Sequence, residues 1–264
     1  MTSPAVSTRS ASEPVRSGTA HWLRSYVMMT RWELGSLRLL LPLIVALQIV
    51  IGGGFALGIG LFFDQMPARN ALFLATGVAV VTLITVGMVL GPQLVGNQKV
   101  AGTYDFLWSL PVPRTTQAAA WLTVNSIIAI PGMVAALVIA DWRYDLSLQV
   151  SPIIVSAVLL TIGTATLIGY AFAHAIPKPM ITQMITQLLI FTILGFSPIN
   201  FPPENLPDWL VAVNEWLPFQ HMAAVVRAAL TEGLVDNVGG SYLILGIYAA
   251  ISVMVSAWVI GRRH

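Results

Sequence analysis

The sequence predicts an all-α membrane protein with six transmembrane helices. Hydrophobic residues make up 56% of the 264-residue chain and charged residues only 9%, whereas about a quarter of the residues in a soluble domain are charged. Six stretches contain no Asp, Glu, Lys or Arg and are long enough to cross a bilayer, which takes roughly 20 residues. These stretches are residues 39–63, 70–96, 115–140, 147–173, 179–200 and 238–261. We therefore expect residues 39–264 to form one six-span transmembrane domain.

Two segments precede the first span. Residues 1–18 are rich in Ser, Pro and Arg and have almost no apolar content, which predicts a disordered cytoplasmic tail rather than a cleavable signal peptide. Residues 19–38 predict an amphipathic helix in the inner membrane interface, with aromatic and basic residues at helical spacing. Those residues are Trp22, Arg24, Tyr26 and Arg31. The alternative is a basic flank of the first span that happens to be helical.

Glycine and proline residues within the first three spans predict local features of helix packing. Gly54 and Gly58 form a GxxxG pair, which would let another helix approach the first span closely. Pro92 and Pro131 fall within the second and third spans, where they predict kinks.

The connection between the second and third spans predicts a short amphipathic helix over about residues 101–113. Thr103 is placed to cap this helix, and Asp105 lies in its first turn, where a carboxylate favours the positive end of the helix dipole. Its apolar side chains are Phe106, Leu107, Trp108 and Leu110. The sequence "PVP", which begins at Pro111, ends the helix before Arg114.

The segment between the fifth and sixth spans predicts two short helices within about residues 204–232. It is too long for a hairpin and too apolar for a free loop. The first helix follows Pro207 and carries a broad apolar stripe of Trp209, Leu210, Val213, Trp216 and Leu217. The second runs from about residue 219 to residue 230. Because each is too short to cross a bilayer, we expect both to dip into the outer leaflet or lie on it.

The distribution of basic residues predicts that both termini are cytoplasmic. With the N-terminus inside and six spans, ten Lys and Arg residues lie inside, and only Arg69, Arg143 and Arg227 lie outside. An excess of basic residues on the inside is the usual arrangement of membrane proteins. We therefore expect a multi-pass protein of the plasma membrane, without a nucleic-acid partner.

Several classes of active site are disfavoured by the residues present. All eleven acidic residues fall outside the interiors of the predicted spans, which disfavours coupling to protons or sodium within this chain. The two lysines are followed by Val100 and Pro179, not by Ser or Thr, so neither fits an ATP-binding P-loop. The chain has no cysteine, and its four histidines show no metal-binding spacing, with His174 and His221 expected at opposite faces. We predict no catalytic and no metal-binding residue.

A few uncharged polar residues remain within the spans. Gln183 and Gln187 lie four residues apart on the fifth span, beside Thr182 and Thr186, so one side of this helix would line a polar path or a subunit interface. Asn125 in the third span is a further candidate for a translocation path. The alternative for each residue is a hydrogen bond between helices, worth about 0.6 to 2 kcal/mol.

Two stretches carry a resemblance to a known family. The first, residues 97–122, reads "NQKVAGTYDFLWSLPVPRTTQAAAWL", and the second, residues 196–230, reads "FSPINFPPENLPDWLVAVNEWLPFQHMAAVVRAAL". They resemble the coupling helix and the exterior helices of the integral-membrane subunits of type-2 ABC exporters, which include drug, polysaccharide and lipid exporters. Asn97 and Gln98 stand where the pattern of that family has an acidic residue.

The resemblance implies a permease subunit that lacks an ATPase site and forms the path for a hydrophobic or amphipathic substrate, such as a drug, a lipid or a lipid-linked glycan. It implies two copies of a separate ABC ATPase, which bind ATP and Mg, and a second permease chain that is either identical or different. The residues implied in the contact with the ATPase are Gly102, Thr103, Asp105, Phe106, Leu107, Leu110 and Pro111. The alternatives are a membrane anchor that recruits a soluble partner and a membrane-embedded enzyme.

Overall fold

The protein is all-helical over the part of the chain that the structure describes. A computed structural model describes residues 18–61, 67–235 and 237–261, and within these ranges there is no β-strand. The α-helices are α1 (Thr19–Leu37), α2 (Leu41–Gly60), α3 (Ala68–Thr85), α4 (Gly91–Val100), α5 (Thr103–Ser109), α6 (Arg114–Tyr144), α7 (Ile154–Ala175), α8 (Pro179–Phe196), α9 (Asp208–Asn214), α10 (Pro218–Leu230) and α11 (Val238–Gly261). The predicted disordered tail falls almost wholly on residues 1–17, which lie outside the described residues.

Six helical units are long and apolar enough to cross a bilayer, in agreement with the sequence prediction. They are α2, the continuous unit of α3 and α4, α6, α7, α8 and α11. The boundaries differ by a few residues, because charge alone does not end a helix. Thus α6 continues one turn past the predicted end, through Asp141 and Arg143, and stops at Tyr144, before Asp145 in the left-handed conformation.

Two spans are shorter than predicted, each for a different reason. Before α7, the backbone N–H groups of Gln149 and Ser151 donate to the carbonyls of Leu230 and Ala229, both at 2.9 Å, which holds this segment against the end of α10. α8 ends at Phe196 because the residue before a proline is disfavoured in the helical conformation, and Pro198 follows Ser197.

The central element of the fold is α3. Every residue from 73 to 84 is buried, and α3 packs against α2, α6, α7 and α10. A membrane helix that is apolar on all sides can face lipid or other helices, and the faces of α3 are covered by other helices. The remaining spans lie at the periphery, where α8 packs against α4 and α11 packs against α7 and α10.

A π-helical segment, Val86–Leu90, joins α3 to α4. Pro92 lies just beyond it and has no N–H group to donate to the preceding turn. The backbone N–H of Gly91 donates instead to the carbonyl of Val86, five residues back. The distortion predicted at Pro92 is thus a local π-helical turn, whereas α6 continues as one α-helix through Pro131.

The close approach of α2 to another helix involves different glycines from those predicted. A Cβ atom on Gly52 would lie 2.5 Å from the carbonyl oxygen of Gly132 in α6, so only glycine allows this contact. A Cβ atom on Gly54 or Gly58 would have no neighbouring atom within 4 Å, so the GxxxG prediction is wrong for packing within this chain. The glycine that matters lies on a different face of α2.

A second close backbone contact joins α7 to the π-helical segment. A Cβ atom on Gly169 would collide with the carbonyl oxygen of Gly87, and a Cβ atom on Gly87 would lie 2.7 Å from the backbone nitrogen of Thr166. The two backbones therefore touch directly where α7 crosses the continuous unit of α3, the π-helical segment and α4, which we call the central helix. No movement of a flexible side chain can relieve such a collision.

Gly169→Ala is expected to destabilise the protein, because the added methyl group forces α7 away from the central helix. Overpacking of this kind costs typically about 1–3 kcal/mol. The matched control is Gly163→Ala in the same helix, where no atom lies within 4 Å of the added Cβ atom. Thermal unfolding of the two purified variants measures the difference, and equal unfolding temperatures would refute the backbone contact.

Candidate coupling site

The sequence predicted Thr103 as the cap of α5, but Thr103 is the first residue of the helix itself. Gly102 occupies the capping position with φ 73°, a left-handed conformation that glycine adopts without strain. The hydroxyl of Thr103 donates to the carbonyl of Gln98 at 3.3 Å instead of capping the helix. The chain therefore reverses at Gly102 and directs α5 across the ends of the neighbouring spans.

One face of α5 is buried against four other helices. Leu107 is only 1% exposed and packs in one apolar cluster with Met29 of α1 and Ala120 of α6. Tyr104 is buried in a second cluster that contains Val95 of α4 and residues of α7. Leu107, predicted as a contact for a partner protein, is instead an internal residue that fixes α5 to its own chain.

The opposite surface, which we call the α5 face, consists of the exposed residues Gly102, Thr103, Asp105, Phe106 and Pro111 together with Trp32 of α1. Phe106 is 52% exposed and its ring centre lies 6.0 Å from that of Trp32. Leu110 is half-buried beside Leu107. Trp32 was not predicted from the sequence, because nothing in the pattern of α1 indicates that it adjoins a helix about 70 residues later.

Two basic residues lie between α5 and the ends of neighbouring spans. Arg114, at the start of α6, donates to the carbonyl of Trp108 at 3.0 Å and places its guanidinium carbon 4.2 Å from the centre of the Trp108 ring. The Lys99 ammonium donates to the carbonyls of Ala173 and Ile176, at 2.5 and 2.8 Å, at the end of α7. A cation at this position favours the negative end of the helix dipole. The Lys99 ammonium also lies 5.2 Å from the centre of the Tyr104 ring, so Lys99 contacts both α5 and the end of α7.

An aromatic cluster fills the space between α5 and α7. The His174 ring centre lies 3.8 Å from that of Tyr170 and 5.7 Å from those of Tyr104 and Trp108. His174 Nδ1 lies 2.8 Å from the carbonyl of Tyr170, a distance at which the Nδ1–H tautomer donates to that carbonyl. The histidine expected near the inner face is thus a buried packing residue at the base of α5.

A buried carboxylate lies beside this base. Glu33 is 3% exposed, and its Oε2 accepts a hydrogen bond from Nε2 of Gln98 at 3.3 Å. Burial raises the pKa of Glu33 from its ordinary value of 4.5 to about 7, and the hydrogen bond from Gln98 opposes this only in part. Gln98 occupies the position where the family pattern has an acidic residue, and in this chain the acidic residue beside that position is Glu33 of α1. The signal in the sequence is the four-residue recurrence of Ser25, Met29, Glu33 and Leu37, which are the buried positions of α1.

The aromatic residues of α1 contact α6. Trp22 donates from Nε1 to Oγ1 of Thr115 at 2.9 Å, and the Tyr26 hydroxyl lies 2.7 Å from Oγ1 of Thr123. The rings of Trp22 and Tyr26 stack with centres 5.6 Å apart. Arg24 and Arg31 are exposed on the other faces of the helix. The polar atoms of these aromatics therefore fix α1 along the first half of α6, and the placement of α1 in the membrane interface stays a prediction.

The structure separates the residues predicted for a translocation path. Asn125 is fully buried and donates from Nδ2 to Oγ1 of Thr166 on α7 at 3.3 Å, which agrees with the alternative of an interhelical hydrogen bond. Gln183 and Gln187 are exposed on α8. Gln187 also lines a pocket of about 220 Å³ between α2, α3 and α8. These two glutamines remain candidates for a path or a subunit interface.

Comparison with known proteins gives one family. A family model described as an ABC-2 family transporter protein matches residues 62–258, about three quarters of the chain. The matched region includes α5 and its connections, as well as α9 and α10. No curated protein matches the chain.

Glu33→Gln is expected to stabilise the protein at alkaline pH and to have little effect near pH 4. The folded chain binds the Glu33 proton more tightly than the unfolded chain does, so the free energy of unfolding falls as the pH rises from 4.5 to about 7 and then levels off. Glutamine removes this loss, which amounts to at most about 3 kcal/mol.

Thermal unfolding at pH 5 and pH 8 measures this effect, with Glu232→Gln as the control for loss of an exposed carboxylate. An unfolding temperature that changes equally with pH in the Glu33→Gln variant and the unsubstituted chain would rule out the buried carboxylate as the cause.

Proposed function

The chain belongs to the ABC-2 transporter family as a permease subunit, and on this premise we propose that it exports a hydrophobic or amphipathic substrate, powered by a separate ABC ATPase. ATP and Mg would bind to that ATPase and not to this chain. The proposed assembly contains two ATPase subunits and a second permease chain, either identical or different. The protein is a multi-pass membrane protein, and we propose the plasma membrane as its location.

The observation that carries the coupling proposal is the contrast between the two sides of α5. Its inner side is buried through Tyr104 and Leu107, while Phe106 remains exposed beside Trp32. Exposed aromatic side chains on a firmly held helix are typical of a protein-binding surface. We propose that the α5 face is seated in the ATPase, with Phe106 at the centre of the contact.

The packing of α5 supports a mechanical role for this contact. Arg114 links α5 to the start of α6, and Lys99 holds the end of α7 beside it. When the ATPases close on ATP, a force applied to α5 would therefore move the near ends of both spans together. After ATP hydrolysis the two ATPases would separate from each other, and the spans would return to their first arrangement.

The positions of basic residues support a cytoplasmic location for the α5 face. Four segments lie on the same side of the molecule as α5. The contact of Trp22 with Thr115 places the starts of α1 and α6 together, and the contact of Lys99 with Ile176 places the end of α4 beside the connection between α7 and α8. The predicted inner basic residues of these segments are Arg24, Arg31, Lys99, Arg114 and Lys178. This agrees with the positive-inside rule and with cytoplasmic termini.

The exposed face of α8 is the proposed contribution of this chain to the translocation path. Gln183 and Gln187 form its polar stripe, and the surrounding residues of α8 are apolar and exposed, as at Met184 and Leu188. A second permease chain facing this surface would enclose a path of mixed polarity, which suits an amphipathic substrate. The two alternative functions, a membrane anchor and a membrane-embedded enzyme, differ from an exporter because neither would depend on ATP hydrolysis by the partner ATPase.

Phe106→Asp is expected to reduce recovery of the ATPase with the purified permease at least about tenfold, because a central aromatic contact commonly contributes about 2 kcal/mol or more. Val150→Asp, at a 69% exposed apolar position before α7, introduces the same charge far from α5. Permease purified from its native membrane is assayed for ATP hydrolysis, and the co-purified ATPase is identified by mass spectrometry. If the Phe106→Asp variant retained its ATPase while folding normally, the α5 face would not be the contact.

Gln187→Cys is expected to react with a water-soluble maleimide in the assembled transporter several times faster than Ile185→Cys. The chain has no native cysteine, so each variant carries a single thiol. Both positions are exposed, but two residues correspond to about 200° around a helix, so they lie on opposite faces of α8. Only thiols in contact with water ionise and react readily. Labelling is measured by mass spectrometry with and without ATP, and equal labelling of the two positions would argue against a polar path along Gln187.

A further inference from the structure

A cavity of about 880 Å³ lies on the side of the chain opposite α5. It is bounded by α10, α11 and the residues that follow α9, and Phe73 of α3 contributes to its wall. The polar residues that line it include Gln220, His221 and Ser241, with His221 Nδ1 3.2 Å from Oγ of Ser241. Its other walls are largely apolar and include Ile244. The volume is in the range of pockets that bind small molecules.

Arg227 supplies a buried positive charge to this cavity. It is 4% exposed, and it donates from Nε to Oγ1 of Thr76 at 3.0 Å and from Nη2 to the carbonyls of Ile199 and Phe73 at 2.6 and 3.4 Å. Its guanidinium carbon lies 3.9 Å from the centre of the Phe73 ring. All these partners are uncharged. Burial lowers the pKa of Arg227 to about 9, which leaves the guanidinium charged at neutral pH.

This charge has no counter-ion among the described residues. The salt bridge found there joins Arg69 to Glu204, both of them exposed, and does not involve Arg227. Glu215 also lines the cavity, but its side chain is exposed and makes no ion pair with Arg227. A buried charge without an opposite charge is unfavourable, so an anion bound in the cavity would be stabilised by it.

An apolar groove of about 400 Å³ adjoins the cavity. Tyr248 and Ile251 of α11 line both spaces. From there the groove continues between α7, α8 and α11 past Phe172 and Leu189 as far as Val255. Its wall is almost entirely apolar, and its direction follows α11 from the cavity toward the α5 side of the chain.

We propose that the cavity and the groove form one binding site for a membrane amphiphile with an anionic head group and a hydrocarbon chain. The head group, a carboxylate or phosphate, binds Arg227 by charge-assisted hydrogen bonds. The chain lies in the groove along Ile251 and Leu189. The two parts of the site match the two parts of such a molecule, because the charged end and the apolar end are continuous. This inference goes beyond the proposed function, since binding is measurable without an ATPase.

The test uses the full chain in lipid nanodiscs and two photoreactive probes, a diazirine-bearing palmitic acid and the matching hexadecanol, with labelled peptides mapped by mass spectrometry. The acid is expected to label α10 and α11 at least about tenfold more than the alcohol, the difference that one charge-assisted hydrogen bond provides. Equal labelling by the two probes would overturn the proposal.

Three variants separate binding from folding. Arg227→Gln is expected to remove the preference for the acid over the alcohol. Arg227 also holds α3 and Ile199 in place, so its substitution could affect folding as well as binding. Ile251→Trp is an independent test, because the larger side chain narrows the groove and is expected to lower labelling by both probes. Leu243→Trp, on the same helix and 67% exposed, lines neither space and is expected to label like the unsubstituted chain. Equal labelling of the two tryptophan variants would overturn the groove assignment.

The same labelling in the complex with its ATPase distinguishes the two origins of such an amphiphile. Release of the bound acid on ATP hydrolysis identifies it as cargo, and retention identifies it as a resident lipid. Either result supports the site. A complex that hydrolyses ATP but shows no acid labelling would reject the site and leave the exporter function standing.

Discussion

The direct backbone contact between Gly87 and Gly169 sets the position of α7 against the central helix, and much of the structure follows from it. Because no side chain separates the two backbones, the register of α7 has little freedom. One turn before the contact, Thr166 meets Asn125 of α6. Beyond it, Tyr170 and His174 reach the base of α5. One close contact in the core therefore determines which aromatic residues support the helix at the end of the span.

Buried polar groups have different roles on the α5 side of the helical bundle and on the opposite side. At the α5 end, Glu33 meets Gln98 and the ammonium of Lys99 meets two backbone carbonyls, so polar groups join helices together. At the opposite end, Arg227 joins α10 to α3 and to Ile199 through neutral acceptors and keeps its charge uncompensated among the described residues. The first arrangement suits the transfer of movement between helices. The second suits attraction of an anion.

The spans were predictable because a bilayer excludes charge, and the short helices were predictable because glycine and proline punctuate the chain. Which face of α5 is internal was not predictable. Tyr104, Phe106 and Leu107 are all apolar or aromatic, so spacing shows an apolar helix without showing its inner side. The burial of Glu33 and Arg227 was also missed, since charged residues next to spans usually mark exposed flanks. The GxxxG spacing in α2 indicated Gly54 and Gly58, whereas the close contact with α6 is at Gly52.

The packing of α5 restricts how a partner could act through it. Tyr104 fixes the helix to α4 and α7, whereas Leu107 fixes it to α1 and α6, so neither side can yield without disturbing a buried cluster. Cavities opened in buried clusters cost several kcal/mol. Under the proposed function, rotating α5 alone is therefore less favourable than moving it together with the near ends of α6 and α7. The conformational change would then be a tilt of whole helices. For α7 the tilt would occur about its close contact with the central helix, where Gly87 and Gly169 bring the two backbones together without interlocking side chains.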